Sequence, residues 1–102
     1  MSKFIENISD KGFDEIFKIL FKDENVHYIS PSDIALQMKD RMFEQFKVSI
    51  CSYPTQSGYV ADLLKKTKTG FICEVSIEDA PTEASAIFTV IDNYLSLYKP
   101  IL

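Results

Sequence analysis

Residues 47–78 decide the fold, and they read KVSICSYPTQSGYVADLLKKTKTGFICEVSIE. Lys47–Tyr53 and Phe71–Ile77 alternate apolar with polar side chains and are rich in β-branched and aromatic residues, which is typical of half-buried strands. Residues 54–58 and 66–70 each end on a glycine and are predicted turns. The stretch therefore predicts an antiparallel β-meander.

The middle of the meander, Tyr59–Lys65, is less clear than its two flanks. Its apolar side chains also fit one stripe of a helix: Tyr59, Val60, Leu63 and Leu64. The segment can form the second strand, and the choice between strand and helix stays open.

Two helices are predicted before the meander. Residues 10–22 place apolar side chains at helical spacing behind a cap at Ser9 or Asp10, and the stripe consists of Phe13, Ile16, Phe17, Leu20 and Phe21. The second helix begins at Ser30, with Pro31 in the first helical position and Asp33 in place of the usual glutamate of a capping box. We expect it to end near Phe46.

A third helix is predicted after the meander. It follows Pro81, has Glu83 in its first turn, where the helix dipole favours an acid, and ends at Lys99-Pro100. The expected class is therefore α+β, with a three-stranded antiparallel β-meander packed with about three α-helices in the order α-α-β-β-β-α. Residues 1–102 fit a single domain, in which residues 1–8 could add a short helix or strand.

One face of the predicted sheet is turned away from the final helix. If the alternation holds, it displays Ser49, Cys51, Tyr53, Val60, Asp62, Leu64, Ile72 and Glu74, while Phe71, Cys73, Val75 and Ile77 share the other face. The displayed set is too apolar for a bare surface. We expect the phenylalanine-rich helix 10–22 to cover it, and a partner is the alternative.

The composition argues against a nucleic-acid-binding domain. The net charge is −4 and the pI is about 4.9, whereas such domains usually carry a basic patch and a high pI. The first residues resemble no signal peptide, and no apolar run is long enough to span a bilayer, so we expect a cytoplasmic protein.

No pattern in the chain predicts a catalytic, cofactor-binding or metal site. His27 is the single histidine, too few for a metal site, and Cys51 and Cys73 are expected to be free and mostly buried thiols. A bridge between neighbouring strands is the alternative for the two cysteines. The carboxylate pairs Asp40 with Glu44 and Glu74 with Glu78 have spacings that arise freely on solvated faces.

The charges are unevenly distributed along the second half of the chain. One basic cluster, Lys65, Lys66 and Lys68, lies at the second predicted turn. An acidic run without any lysine or arginine follows it, and the candidate partner-binding residues are Glu74, Glu78, Asp79, Glu83 and Asp92. This run is either a solvated face or a docking surface for a basic protein.

Residues 31–98, from the second helix to the last, resemble a double-stranded-RNA-binding domain in the order of their elements. That family holds phosphates with a lysine pair at the start of its last helix, where this chain has Asp79-Ala80-Pro81-Thr82-Glu83. The resemblance therefore implies a fold and not the activity.

Size and charge favour a small acidic protein-binding protein. The class we expect is a stoichiometric inhibitor, for example an immunity protein or antitoxin that neutralises a basic toxin such as a nuclease. We expect no enzymatic activity and no small-molecule substrate. The alternative is a nucleic-acid-binding module that uses Lys65, Lys66 and Lys68.

Overall fold

The computed structural model describes residues 10–22 and 24–98. In chain order the elements are α1 (Asp10–Phe21), α2 (Pro31–Phe46), β1 (Val48–Pro54), β2 (Tyr59–Thr67), β3 (Gly70–Ala80) and α3 (Glu83–Tyr98). The predicted α+β class and the order α-α-β-β-β-α are confirmed. The possible helix or strand in residues 1–8 lies outside the described residues.

The start of α2 follows the predicted capping pattern. Ser30 is extended, and its hydroxyl accepts a 3.1 Å hydrogen bond from the backbone N–H of Asp33. The Asp33 carboxylate accepts in turn from the N–H of Ile29, one residue before the cap. Lys47, with φ 60°, closes the helix in the left-handed region and turns the chain into β1.

The last helix begins at Glu83, two residues after the start that Pro81 in the first helical position would give. The Thr82 hydroxyl accepts from the N–H of Ser85, so Thr82 caps α3 and Pro81 lies just outside. Glu83 occupies the first turn, as predicted.

The sheet has three strands in the order β1-β2-β3, and both pairings are antiparallel. Residues 59–67 form a strand, so the segment that could have been helical pairs on both sides. The pairing of β1 with β2 is unbroken from Val48↔Lys65 to Pro54↔Tyr59. Since directly opposite residues share a face, this register assigns the two faces of the sheet.

Two β-bulges interrupt the pairing of β2 with β3. Leu63 lies opposite Val75 and Leu64 opposite Cys73, so Glu74 is an extra residue in β3. The expected alternation of residues 71–77 is therefore wrong. Cys73 and Phe71 share a face with Leu64 and not with Val75.

The second bulge lies at the other end of β3. Tyr59 pairs with Ala80 and Ala61 with Ile77, which leaves Val60 opposite two residues, Glu78 and Asp79. Asp79 adopts φ 60° there. Both bulges contain acidic residues, Glu74 in the first and Glu78 with Asp79 in the second.

The helix α3 is buried between the sheet and α1. It contacts all three strands, α1 and α2. Five consecutive residues of α3, 84–88, are buried, and since each residue turns a helix by about 100°, all sides of this turn are covered. The largest fully buried side chains of the protein are Phe21, Phe88, Ile16, Leu20, Ile34, Met38, Met42, Leu63, Ile87, Ile91, Val48 and Val90.

The prediction that helix 10–22 covers the far face of the sheet is wrong. Among the described elements, α1 contacts α2 and α3 and no strand. The ring of Phe13 packs against that of Phe88 on α3, with 5.4 Å between the two ring centroids. Because α3 is apolar on more than one side, it offers α1 a burial surface that the sequence pattern did not reveal.

One ion pair ties the segment after α1 to α2. Both terminal nitrogens of the Arg41 guanidinium, Nη1 and Nη2, donate to the Glu24 carboxylate, with Arg41 Nη2 at 2.6 Å from Glu24 Oε1. The same guanidinium lies over the ring of Phe21, 5.1 Å from its centroid. Within residues 10–22 and 24–98, no helix has the length and apolar character needed to cross a membrane.

Candidate interaction surface

The side of the sheet turned away from α3 is here called the open face, and none of its apolar side chains belongs to the hydrophobic core of the described residues or packs against it. Its members follow from the register, beginning with Tyr53↔Val60, Cys51↔Asp62 and Ser49↔Leu64. The complete set on β2 and its neighbours is Ser49, Cys51, Tyr53, Val60, Asp62, Leu64, Lys66, Phe71, Cys73, Ser76 and Glu78.

The sequence predicted most of this face correctly. The six positions on β1 and β2 are confirmed, from Ser49 to Leu64. The prediction that Ile72 lies on this face is wrong. Ile72 pairs with Lys65, which pairs in turn with the buried Val48, so Ile72 lies on the face turned towards α3. Glu74 is the bulged residue beside Cys73, opposite Leu64.

The open face carries apolar side chains that the fold does not cover. Phe71 is 61% exposed and Tyr53 is 47% exposed, and the two lie towards opposite ends of the face. Leu64 is half-buried and Val60 is buried between them on β2. An apolar surface of this kind is typical of a binding site.

Asp62 lies at the centre of the open face, on the middle strand. The hydroxyl of Ser76 on β3 donates to Asp62 Oδ1 at 2.6 Å, and the hydroxyl of Tyr53 on β1 donates to Asp62 Oδ2 at 3.4 Å. The carboxylate thus joins all three strands. Two hydrogen bonds hold it in a fixed orientation while it stays half-buried.

The charge of Asp62 changes the chemistry of its neighbour. It raises the pKa of Tyr53 above its ordinary value, because the phenolate would form beside a carboxylate that repels it. Burial, the hydrogen bond to Asp62 and the more distant Glu78 and Cys51 act in the same direction. These effects extend the pH range over which Tyr53 keeps its hydroxyl proton to more alkaline values.

Three of the five predicted partner-binding residues lie together at one end of the sheet, here called the acidic end. It consists of Glu78, Asp79 and Glu83, all of them exposed. The Asp79 carboxylate accepts from the Ser57 hydroxyl in the β1–β2 turn, and Glu83 Oε2 accepts from the Ser52 hydroxyl at 2.8 Å. These bonds bring β1, the turn and the start of α3 to one place.

The remaining two predicted residues lie elsewhere. Glu74 is five strand residues from Asp79, about 16 Å along β3. Asp92 is nine residues after Glu83, about 14 Å along α3, and is half-buried.

The basic cluster occupies the opposite end of the sheet from the acidic end. Lys65 and Lys66 end β2, Lys68 lies in the following turn, and all three are exposed. Lys66 pairs with Phe71, which is eight residues and about 26 Å from Asp79 along β3. The polarity seen in the sequence is thus a polarity along the strands of the sheet, with positive charge at one end and negative charge at the other, and Lys66 and Glu78 are its members on the open face.

Both cysteines lie on the open face, and both are exposed and free. Cys51 pairs with Asp62 on one side of β2, and Cys73 pairs with Leu64 on the other. Two strand spacings of about 4.8 Å separate β1 from β3, which exceeds the roughly 7 Å limit between the Cα atoms of a disulfide. The expectations of buried thiols and of a bridge between neighbouring strands are both wrong.

The other sequence candidates are not brought together. His27 is exposed ahead of α2, and Asp40 and Glu44 are exposed one turn apart on α2. In the part of the chain that the structure describes, no group of three or more His, Cys, Asp or Glu side chains could hold a metal ion.

Comparison with protein-family models, curated proteins and solved structures finds no match. The function is therefore argued from the open face itself.

Sequence reasoning named Asp62 as part of the displayed face but not as a site. The information was present in the β1–β2 turn, since pairing Tyr53 with Val60 places Asp62 beside Cys51. The contact with Ser76 could not be derived, because it depends on the bulge at Glu74, which lies between the β2–β3 turn and this pair.

Proposed function

We propose that this protein is a small protein-binding domain that docks a basic protein on its open face and acidic end. The action we propose is stoichiometric inhibition, of the kind performed by an immunity protein or antitoxin that neutralises a basic toxin such as a nuclease. The observation that carries the proposal is a sheet face outside the core of the described residues, with exposed Tyr53 and Phe71, a central carboxylate that forms no ion pair with a described residue, and an adjacent acidic end.

Apolar area and charge have different parts in such a contact. Tyr53, Leu64 and Phe71 supply surface that is removed from water when a partner binds, and aromatic side chains are enriched at interfaces. The acidic end adds long-range attraction, which raises the association rate more than the affinity. Salt screens that attraction within a Debye length of about 8 Å at physiological ionic strength.

The test is capture of a basic protein from the source cell, followed by kinetics with the purified partner. The E78Q/D79N/E83Q variant removes the acidic end, and asparagine at position 79 suits the left-handed backbone there. A matched control, D14N/D40N/E44Q, neutralises three exposed acids on α1 and α2.

We expect a one-to-one complex whose association rate falls with salt. The acidic-end variant should associate on the order of tenfold more slowly at low salt, and the control should behave like the unmodified protein. Recovery of no basic protein, or an association rate that neither salt nor the acidic-end variant changes, would refute the proposal.

A second candidate function is nucleic-acid binding at the basic end. Phe71, directly opposite Lys66, is 61% exposed and could stack on a base while Lys65, Lys66 and Lys68 contact phosphates. The exposed acids at the start of α3 would repel phosphates, which argues against binding in the manner of a double-stranded-RNA-binding domain.

Gel-shift measurements decide this alternative. Replacing the three lysines with alanine should abolish a shift of single-stranded RNA or DNA seen at low salt and flatten its salt dependence. If the unmodified protein shifts neither nucleic acid at low salt, the alternative is rejected.

A further inference from the structure

The geometry of the open face points to one anchoring residue. Building on the proposed function, we infer that Asp62 receives an arginine of the partner, presented among apolar side chains. The proposal names both the position of the contact, at the centre of the sheet, and the chemistry of the group that fills it.

The surroundings of Asp62 favour a desolvated contact. Val60 and Leu64 lie two residues away on either side along β2, and both point to the same face. Cys51 is directly opposite on β1. A partner that covers these side chains also removes water from the carboxylate, and a charge removed from water needs a counter-charge.

That counter-charge is not supplied within the described part of the chain. The carboxylate of Asp62 accepts from two neutral hydroxyls and forms no ion pair with a described residue. The basic side chain on the same face of β2, Lys66, is four residues away, about 13 Å along the strand. A carboxylate has about four lone-pair sites, so two remain for an incoming donor.

Arginine fits this place better than lysine. A guanidinium donates two parallel hydrogen bonds to a carboxylate and stacks on aromatic rings, and Tyr53 is joined to the same carboxylate. An ammonium group is more strongly hydrated and offers no planar surface.

A second copy of this chain is a poorer occupant. In a two-fold contact the same patch meets itself, so an interface centred on this face would bury one Asp62 carboxylate against the other. Like charges placed opposite each other in an interface repel strongly and disfavour the complex. The occupant is therefore a different protein with the opposite charge.

The acidic end and Asp62 then contribute to different stages of binding. Glu78, Asp79 and Glu83 are exposed and act on the approach of the partner, whereas Asp62 is half-buried and acts once the face is covered. Neutralising the acidic end should slow association, and removing the charge of Asp62 should speed dissociation.

Selection from a random displayed peptide library on the immobilised protein tests the anchor without knowledge of the partner. Enriched peptides are resynthesised with citrulline in place of arginine, which keeps the shape and removes the charge. Each peptide is measured on the unmodified protein, on Asp62→Asn and on Asp40→Asn, a matched charge change on the exposed side of α2. Asparagine at position 62 keeps an oxygen for the Ser76 hydroxyl, and circular dichroism checks that the variant is folded.

We expect enriched peptides with an arginine flanked by apolar residues. Asp62→Asn and citrulline should each weaken binding on the order of tenfold or more, and Asp40→Asn should leave it unchanged. Bound peptide should also slow alkylation of Cys51 and Cys73, the exposed thiols of the same face.

The proposal is overturned if no peptide is enriched, if the enriched peptides lack arginine or carry lysine in its place, or if they bind Asp62→Asn as tightly as the unmodified protein. It is also overturned if sedimentation reveals a dimer whose formation protects both thiols. If the acidic-end variant loses a captured basic protein while Asp62→Asn retains it, the anchor is wrong and the proposed function stands. If peptides bind through Asp62 but no basic protein is captured, the proposed function fails and the anchor stands.

Discussion

Ser76 and Asp62, which face each other across β3 and β2, are joined by a 2.6 Å hydrogen bond from the Ser76 hydroxyl to Asp62 Oδ1. With the second bond from Tyr53, this contact fixes a carboxylate at the centre of a sheet face that no described helix covers. Asp62 differs from an ordinary surface aspartate because two hydroxyls orient its carboxylate while it forms no ion pair with a described residue.

Asp62→Asn should lower the pKa of Tyr53 towards its ordinary value of 10.0, because the repulsion from the carboxylate is its largest perturbation. The measurement is an NMR titration of the Tyr53 ring carbon, assigned by comparison with Tyr53→Phe. Asp40→Asn, on the other side of the molecule, should leave the titration unchanged. An unaltered pKa in Asp62→Asn would mean that the two side chains do not interact in solution.

Cys51 and Cys73 should both react with a thiol reagent in the folded protein, at rates close to those of the unfolded chain, because both are exposed. The Cys51→Ser and Cys73→Ser variants assign the two rates. No internal disulfide should form under oxidising conditions, since β2 separates the two strands. Slow reaction of both thiols in the monomer would show that another part of the chain covers the open face.

Gly58→Ala should destabilise the protein more than Gly70→Ala. A Cβ at Gly58 would lie 2.6 Å from the carbonyl oxygen of Ala80, whereas a Cβ at Gly70 meets nothing within 4 Å. Both glycines have positive φ, +153° and +137°, so both changes strain the backbone by about 1–3 kcal/mol.

The difference between the two glycine variants isolates the close approach of the β1–β2 turn to the end of β3. Urea unfolding measures both free energies of unfolding. Equal losses would contradict the close contact between residues 58 and 80.

Glu24→Gln should lower the thermal unfolding midpoint at neutral pH, because the hydrogen bond from Arg41 holds the pKa of Glu24 below its ordinary value of 4.5. A carboxyl with a depressed folded pKa contributes stability above its unfolded pKa and loses it as pH falls through the folded pKa. The difference between variant and unmodified protein should therefore shrink below about pH 4.5.

Asp40→Asn is the control for Glu24→Gln, since no ion pair of Asp40 is present among the described residues. Arg41→Gln should lower the thermal unfolding midpoint more than Glu24→Gln does, because it also removes the guanidinium from the ring of Phe21. A pH-independent difference for Glu24→Gln would rule out the ion pair in solution.

Local features of the fold could be predicted because they depend on neighbouring residues. Ser30 and Asp33 form the cap of α2 within one turn, and the alternating residues of β1 need only their own side chains to be recognised. The faces of β3 could not be predicted, because two extra residues shift the alternation and nothing in 70–80 marks them. The prediction that α1 covers the far face of the sheet was wrong for a related reason. The packing of α1 depends on a second apolar side of α3, which only the assembled helices reveal.

The order of the elements, the cap of α2 and the separation of acidic from basic residues could be inferred from the sequence. These properties follow from periodicity and spacing along the chain, which depend on short-range interactions. The position of the face around Asp62 outside the described core, and the meeting of Tyr53, Asp62 and Ser76 there, depend on the tertiary structure. Strand register and helix packing bring together residues that are far apart in the chain, so local sequence patterns do not reveal these contacts. The bulges that set the register of β3 are defined only by its pairing with β2.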